Sequence, residues 1–219
     1  MVKTGLCCVL AMCAQFFTVS AYSSPTDTHD RKSRALEAGA RVMQSNAPTE
    51  ALDIHLHGAH VAKGDPSHQM EAHHFCHQKN RDFAQCALFD GDGANADLIG
   101  IEYIISEKLF DTLPAQEKKY WHPHNYEILS GELIAPGLPQ VAEHVLMKEK
   151  INSYGKTWHT WNAAPFGMKG DSLPFGEPAL EWSFNRDGEA APGLIEGRDK
   201  RMKIDTAEKR RSRSDLTSM

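Results

Sequence analysis

The clearest alternation of apolar and polar positions lies between residues 69 and 105. Gln69 to His77 and Phe83 to Phe89 read as two strands, separated by the polar stretch Gln78-Lys79-Asn80-Arg81-Asp82 of hairpin length. A loop centred on Arg81 makes Cys76 and Cys86 cross-strand partners and sets His74 opposite Leu88. Leu98 to Ile105 is a third strand, apolar on both faces except at Glu102, where a carboxylate is costly unless paired. Ser106 caps a turn of helix through Phe110, and Pro114 opens another that ends near Tyr120. Strand character returns at Asn125 to Leu133, broken by Ser130-Gly131. Pro139 then starts a helix in which Val141, His144, Val145, Met147, Ile151 and Tyr154 share one side, and Gly155 stops it. Lys156 to Trp161 and Ala179 to Phe184 read as late strands. Upstream, Leu36, Ala40 and Met43 fall on one face of a short helix. Internal repeats and a regular β-α-β alternation are both absent from the sequence. The pattern therefore predicts a single α+β domain with a mainly antiparallel sheet and a few short packed helices.

The two ends differ from the body. Lys3 followed by the apolar run Gly5 to Val19 and the compact Val19-Ser20-Ala21 reads as a signal peptide over residues 1–21, cleaved after Ala21. The run is too short for a membrane-spanning helix, and the mature chain holds no other candidate. Cleavage removes Cys7, Cys8 and Cys13, leaves Cys76 and Cys86, and makes the protein exported, periplasmic or secreted. An extension at 22–50 is partly helical, the main domain covers 51–197, and a tail at 198–219 carries eight basic and four acidic residues. The body is acidic, which repels a phosphate backbone and argues against nucleic acid as a partner. The tail run Lys209-Arg210-Arg211-Ser212-Arg213 reads as a solvated end or short helix, with peripheral contact to anionic lipid as the alternative. The hydrophobic fraction of 41% and charged fraction of 24% suit neither a disordered chain nor a membrane bundle.

Histidine is the compositional outlier, with 12 in the chain. Three groups hold most of them: His55-Leu56-His57-Gly58-Ala59-His60, His73-His74-Phe75-Cys76-His77, and Trp121-His122-Pro123-His124-Asn125-Tyr126-Glu127. In extended chain, residues two apart point the same way, so His55 with His57, and His122 with His124, each offer two imidazoles to one ion. Pro123 disfavours helix at His122 and supports that geometry. Imidazole with carboxylate suits zinc or another transition metal. The plainer reading is surface or core histidines with ordinary partners, since no established zinc spacing is present. Enzyme templates fare worse: no Gly-x-Ser-x-Gly elbow, Walker loop or dinucleotide fingerprint occurs, and the sequence leaves open whether the chain is an enzyme. Glu102 and Glu127 suit a general base beside a metal-bound water, or equally a salt bridge. Cys76 and Cys86, directly opposite, suit a disulfide stabilising by about 2 to 3 kcal/mol, or a pair of buried thiols.

His73-His74-Phe75-Cys76, Gln85-Cys86-Ala87-Leu88-Phe89-Asp90, Leu98 to Ser106, Trp121 to Glu127 and Tyr154-Gly155-Lys156-Thr157-Trp158 resemble the oil body-associated protein family. The likeness runs from about His55 to Asp187, with weaker agreement in the basic tail. The family is a domain of unknown function, with plant members on seed oil bodies and with fungal and bacterial members. The resemblance implies a fold without naming a reaction. It singles out His55, His60, His74, Cys76, Glu102, His122, His124 and Glu127, where the family pattern has the same residue types, over His29, His68, His77 and His144. The expected centre is a transition metal or small polar ligand held by His74, His122, His124 and neighbouring Glu127 or Glu102. The competing expectation is a lipid-surface or interaction protein without chemistry.

Overall fold

The computed structural model describes residues 31–163 and 171–217. The expected signal segment, residues 1–21, and His29 lie outside them. Seven strands are present among the described residues: β1 (Ile54–Ala62), β2 (Asp65–Asn80), β3 (Phe83–Phe89), β4 (Leu98–Ser106), β5 (His122–Pro123), β6 (Ser153–His159) and β7 (Ala179–Ser183). The helices are α1 (Arg31–Met43), α2 (Ala47–Glu50), α3 (Glu107–Asp111), α4 (Ala115–Lys118), α5 (Asn125–Ser130), α6 (Gln140–Lys150), α7 (Leu194–Met202) and α8 (Thr206–Ser212). The class is α+β, as the pattern predicts.

Antiparallel pairing runs β1-β2-β3-β4-β6-β7 and returns from β7 to β1, closing a six-stranded barrel. The short β5 pairs with β6 through His122 and Pro123. Closure removes the open edges on which strands otherwise aggregate. Period two decides what faces inward. Leu56, His60, Met70, His74, Cys76, Cys86, Leu88, Glu102 and Ile104 are buried from β1 to β4, as are Thr157, His159, Glu181 and Ser183 from β6 and β7. The interior has an apolar part, where Leu56, Leu88 and Ile104 meet Ile128 of α5 and Met147 of α6, and a polar part, where the imidazoles lie. The β2–β3 register pairs Cys76 with Cys86 and His74 with Leu88, as a turn centred on Arg81 requires. The two cysteine sulfurs are bonded, with the Cα atoms 4.0 Å apart. Ser106 caps α3 by accepting from the Leu109 amide.

Two expectations are overturned, and one of the two readings of the tail is set aside. Asn125 to Leu133 is not a strand but α5, ended by Gly131 at φ 85°, a left-handed position that suits glycine. The alternation of Tyr126 and Ile128 imitated a strand, but one turn of helix sets Glu127 and Ile128 together into the interior. The helix from Pro139 ends at Lys150 rather than Gly155, because Ser153, Gly155, Thr157 and His159 alternate inward along β6. The basic tail forms the short helix that was one alternative for its charged run, Lys209 to Ser212 lying in α8, and is docked rather than a solvated end. Its α7 and α8 dock, Arg198 and Arg213 are buried, and Leu216 joins the core. Arg213 donates to the carbonyls of Ile128 and Leu133 and faces Glu143, while Arg198 donates to the carbonyl of Glu132 and to Thr206 Oγ1. These guanidiniums satisfy the carbonyls around α5, which is the segment that carries His124 and Glu127.

Candidate metal centre

Glu102 stands at the centre of the polar half of the barrel, 2% exposed. Its Oε2 lies 2.9 Å from His74 Nε2 and 3.9 Å from His60 Nε2. Its Oε1 lies 3.0 Å from His124 Nε2. His60, His74 and Glu102 form one group of ligand atoms all within 4.8 Å of one another, and Glu102, His122 and His124 form a second. His60 and His74 come from the inward positions of β1 and β2, and His122 from β5. His124 sits at the N-cap of α5, where the chain leaves β5. Gly155 makes this convergence possible. A Cβ there would lie 2.3 Å from Glu102 Oε1, 2.5 Å from His124 Nε2 and 2.9 Å from His122 Cε1, so any other residue on β6 at that point would push these side chains out of place.

Neighbouring groups set the tautomers. Ser153 Oγ donates to the carbonyl of Lys150 at 2.7 Å, so it accepts from His124 Nδ1 at 2.8 Å. A neutral His124 then presents its Nε2 lone pair to a carboxylate oxygen. On the other side, His159 Nδ1 lies 3.1 Å from Met70 Sδ, which can only accept. His159 Nε2 therefore accepts from His60 Nδ1 at 3.0 Å, leaving the His60 Nε2 lone pair pointed at His74 and Glu102. Lone pairs facing a carboxylate at hydrogen-bond distance repel unless a proton or a metal ion lies between them. Both ring nitrogens of His122 are buried without a hydrogen-bond partner among the described residues.

Burial reinforces this state. It pushes His122 down to about 3, with the neighbouring His124 adding to the effect, and His159 likewise to about 3, with His74 adding. Burial, with His74 next in size, holds His60 well below its ordinary value. Neutral imidazole is the ligating form. For Glu102, burial pushes upward, but where a proton rather than a metal ion lies between it and the facing rings, the hydrogen bonds from His124 and His74 outweigh burial and hold the carboxyl well below the usual range. Glu127 behaves in the opposite way: burial and the charge of Glu102 raise it well above that range. Its Oε1 is 3.9 Å from His124 Nε2, outside both ligand groups. Glu127, Glu102, His74, His124 and Lys150 border a cavity of about 20 Å³, enough for one water molecule.

Of the residues expected from sequence, the structure brings His74, His122, His124 and Glu102 together and places Glu127 at the margin. His55 and His57 do point the same way, but outward, so the first histidine group supplies only His60. Cys76 and Cys86 lie beside the centre rather than in it, with Cys86 the cross-strand neighbour of Glu102. His159 was missed. Its signal is the inward alternation of Ser153, Gly155, Thr157 and His159, which a helix reaching to Gly155 conceals.

A family model described as "Protein of unknown function (DUF1264)" matches residues 46–217. The match reaches through α7 and α8, in keeping with their packing. Oil body-associated protein 1B of Arabidopsis thaliana is 37% identical over 197 residues, which are 90% of this chain and 80% of that protein. Oil body-associated protein 2A of Zea mays is 40% identical over 186 residues, 84% of this chain and 72% of that protein. The chain belongs to the oil body-associated protein family. Arabidopsis thaliana oil body-associated protein 2A is similar at 38% over 191 residues, 86% of this chain and 76% of that relative. No solved structure matches the chain significantly.

Proposed function

We propose that this member of the oil body-associated family is an exported protein that binds a transition metal, zinc first among them, inside its barrel. The donors are His60, His74, His122, His124 and Glu102. The observation that carries the reading is the environment of Glu102: each carboxylate oxygen faces an imidazole Nε2, at 2.9 Å and 3.0 Å, and second partners turn the His60 and His124 lone pairs inward. Four imidazoles and one carboxylate suit a borderline divalent ion better than calcium or magnesium, which prefer oxygen. Export is supported by residues 1–21 and by the bonded Cys76 and Cys86, which suit an oxidising compartment. The decisive experiment measures metal content and melting temperature of the purified chain, before and after chelation, against the variant carrying His122→Ala and His124→Ala. Stoichiometric metal, a melting point that falls on chelation, and loss of both effects in the variant are expected. A chain that carries no metal and melts identically with and without zinc overturns the reading.

Attachment to a lipid surface is the second reading, and the names of the plant relatives favour it. Among the described residues, no helix is long and apolar enough to cross a membrane. Leu138, Val141 and Val145 are exposed along one side of α6 and its lead-in, an apolar stripe suited to a peripheral contact. The basic run gives less support, because Lys209 pairs with Glu143, Arg210 with Asp187 and Arg213 with Glu143. Flotation with anionic vesicles that is abolished by Val141→Glu with Val145→Glu supports this reading; no flotation of the unaltered chain removes it.

A further inference from the structure

We infer that the barrel holds two metal ions rather than one, bridged by the carboxylate of Glu102. The inference rests on the metal-binding reading above and deepens it by giving the nuclearity. The donors fall into two groups that share only Glu102: His60 with His74, and His122 with His124. A single ion with bonds of about 2.1 Å reaches donors no farther apart than about 4.2 Å. Each group separately fits within 4.8 Å, but the two do not merge into one set at that limit. The His60 and His122 rings are 6.4 Å apart between centroids, whereas His60 and His74 are 4.9 Å apart and His122 and His124 are 5.2 Å apart.

The carboxylate divides in the same way. Oε2 faces His74 and His60, and Oε1 faces His124. One oxygen toward each histidine pair is the geometry of a bridging carboxylate, which suits ions about 3.5 to 4 Å apart. Each half also has its own outer support. His159 orients His60 on one side, and Ser153 orients His124 on the other. Two divalent ions need more negative charge than Glu102 alone supplies. Glu127 lies 3.9 Å from His124 on the second side. Glu181, 0% exposed and with both oxygens unpartnered among the described residues, lies in the cross-strand row Glu102, Thr157, Glu181.

Native mass spectrometry of the full mature chain, titrated with zinc and separately with cobalt, tests this directly. Two ions per chain are expected, falling to one in His74→Ala and to one in His124→Ala. Electron paramagnetic resonance of the unaltered chain loaded with copper guards against variants that fail to fold. Signal should grow to one equivalent and then change through coupling between ions as the second enters. Saturation at one ion, with no coupling at two equivalents, overturns the two-ion inference and leaves the metal-binding reading standing. Binding of no ion overturns both.

Discussion

The β1–β2 pair carries two sets of histidines on its two faces, and their fates differ. On the inner face, His60 and His74 point, with His122 of β5 and His124 at the start of α5, toward one carboxylate of β4, that of Glu102. On the outer face, His55, His57 and His73 each settle with a near neighbour. His55 Nε2 lies 3.0 Å from His73 Nδ1, and the His55 ring stacks on Phe75 at 4.6 Å. His57 Nε2 lies 3.2 Å from Glu71, which Arg201 of α7 also holds. Burial pushes Glu71 upward, but these two partners outweigh it and keep its carboxyl at about 2. Residue type and strand are the same in both sets; only the parity of position differs. Side chains on the concave face of a closed sheet converge, so distant strands share one acceptor, while those on the convex face diverge and pair locally.

The largest expected effect separates the two faces by their carboxylates. Glu102→Gln should weaken zinc binding by more than the roughly 10- to 100-fold that loss of an outer partner costs, whereas Glu71→Gln should leave it unchanged. Competition against a chromophoric chelator measures both, and equal losses would erase the distinction between the faces. Gly155→Ala comes next. Its Cβ would enter the space of Glu102 and His124, so about 1 to 3 kcal/mol of metal-free stability should be lost in urea unfolding, together with weaker metal binding. Ser153→Ala should cost about 10-fold in metal affinity by freeing the His124 tautomer, with little change in the fold. An unchanged affinity would show that Ser153 does not set that tautomer.

Smaller effects test the remaining interior and the outer face. Burial pushes Glu181 up to about 8. Its folded value thus lies above the unfolded one, near 4.5, so its contribution to stability is present at acid pH and lost as pH rises through 8. Glu181→Gln should accordingly raise the melting point of the metal-free chain at pH 9 relative to the parent, and change it little at pH 4. A parallel change at both pH values would assign its effect to packing. His55→Ala, on the outer face, should alter stability by only about 0.5 kcal/mol and metal content not at all.

Much of the sheet was legible because period two is a local signal. The β2–β3 register followed from the turn, and Glu102 stood out as a carboxylate in an apolar run that needed a partner. The helix α5 was not legible. Six residues are too few for a helical period to separate from alternation, and the packing of Thr206 and Arg210 of α8 against its terminator Gly131, which leaves no room for a side chain, is a contact from far along the chain. The docking of the basic tail was not legible for a related reason. Composition counts charges but cannot say that Arg198 and Arg213 reach carbonyls more than sixty residues away. His159 falls in the strand expected over Lys156 to Trp161, but a helix running up to Gly155 hides the inward row of Ser153, Gly155, Thr157 and His159 to which it belongs.

By itself, the sequence determined the family, the α+β class, the cysteine register and a short set of histidines and glutamates able to ligate a metal. Those features are written in spacing and parity, which short stretches of chain preserve. Only the tertiary structure decided which histidines converge, that His60 and His159 belong with them while His55 and His57 do not, and that Glu102 divides the donors into two groups. Barrel closure brings together strands far apart in the chain, and no local pattern encodes which inward side chains then meet.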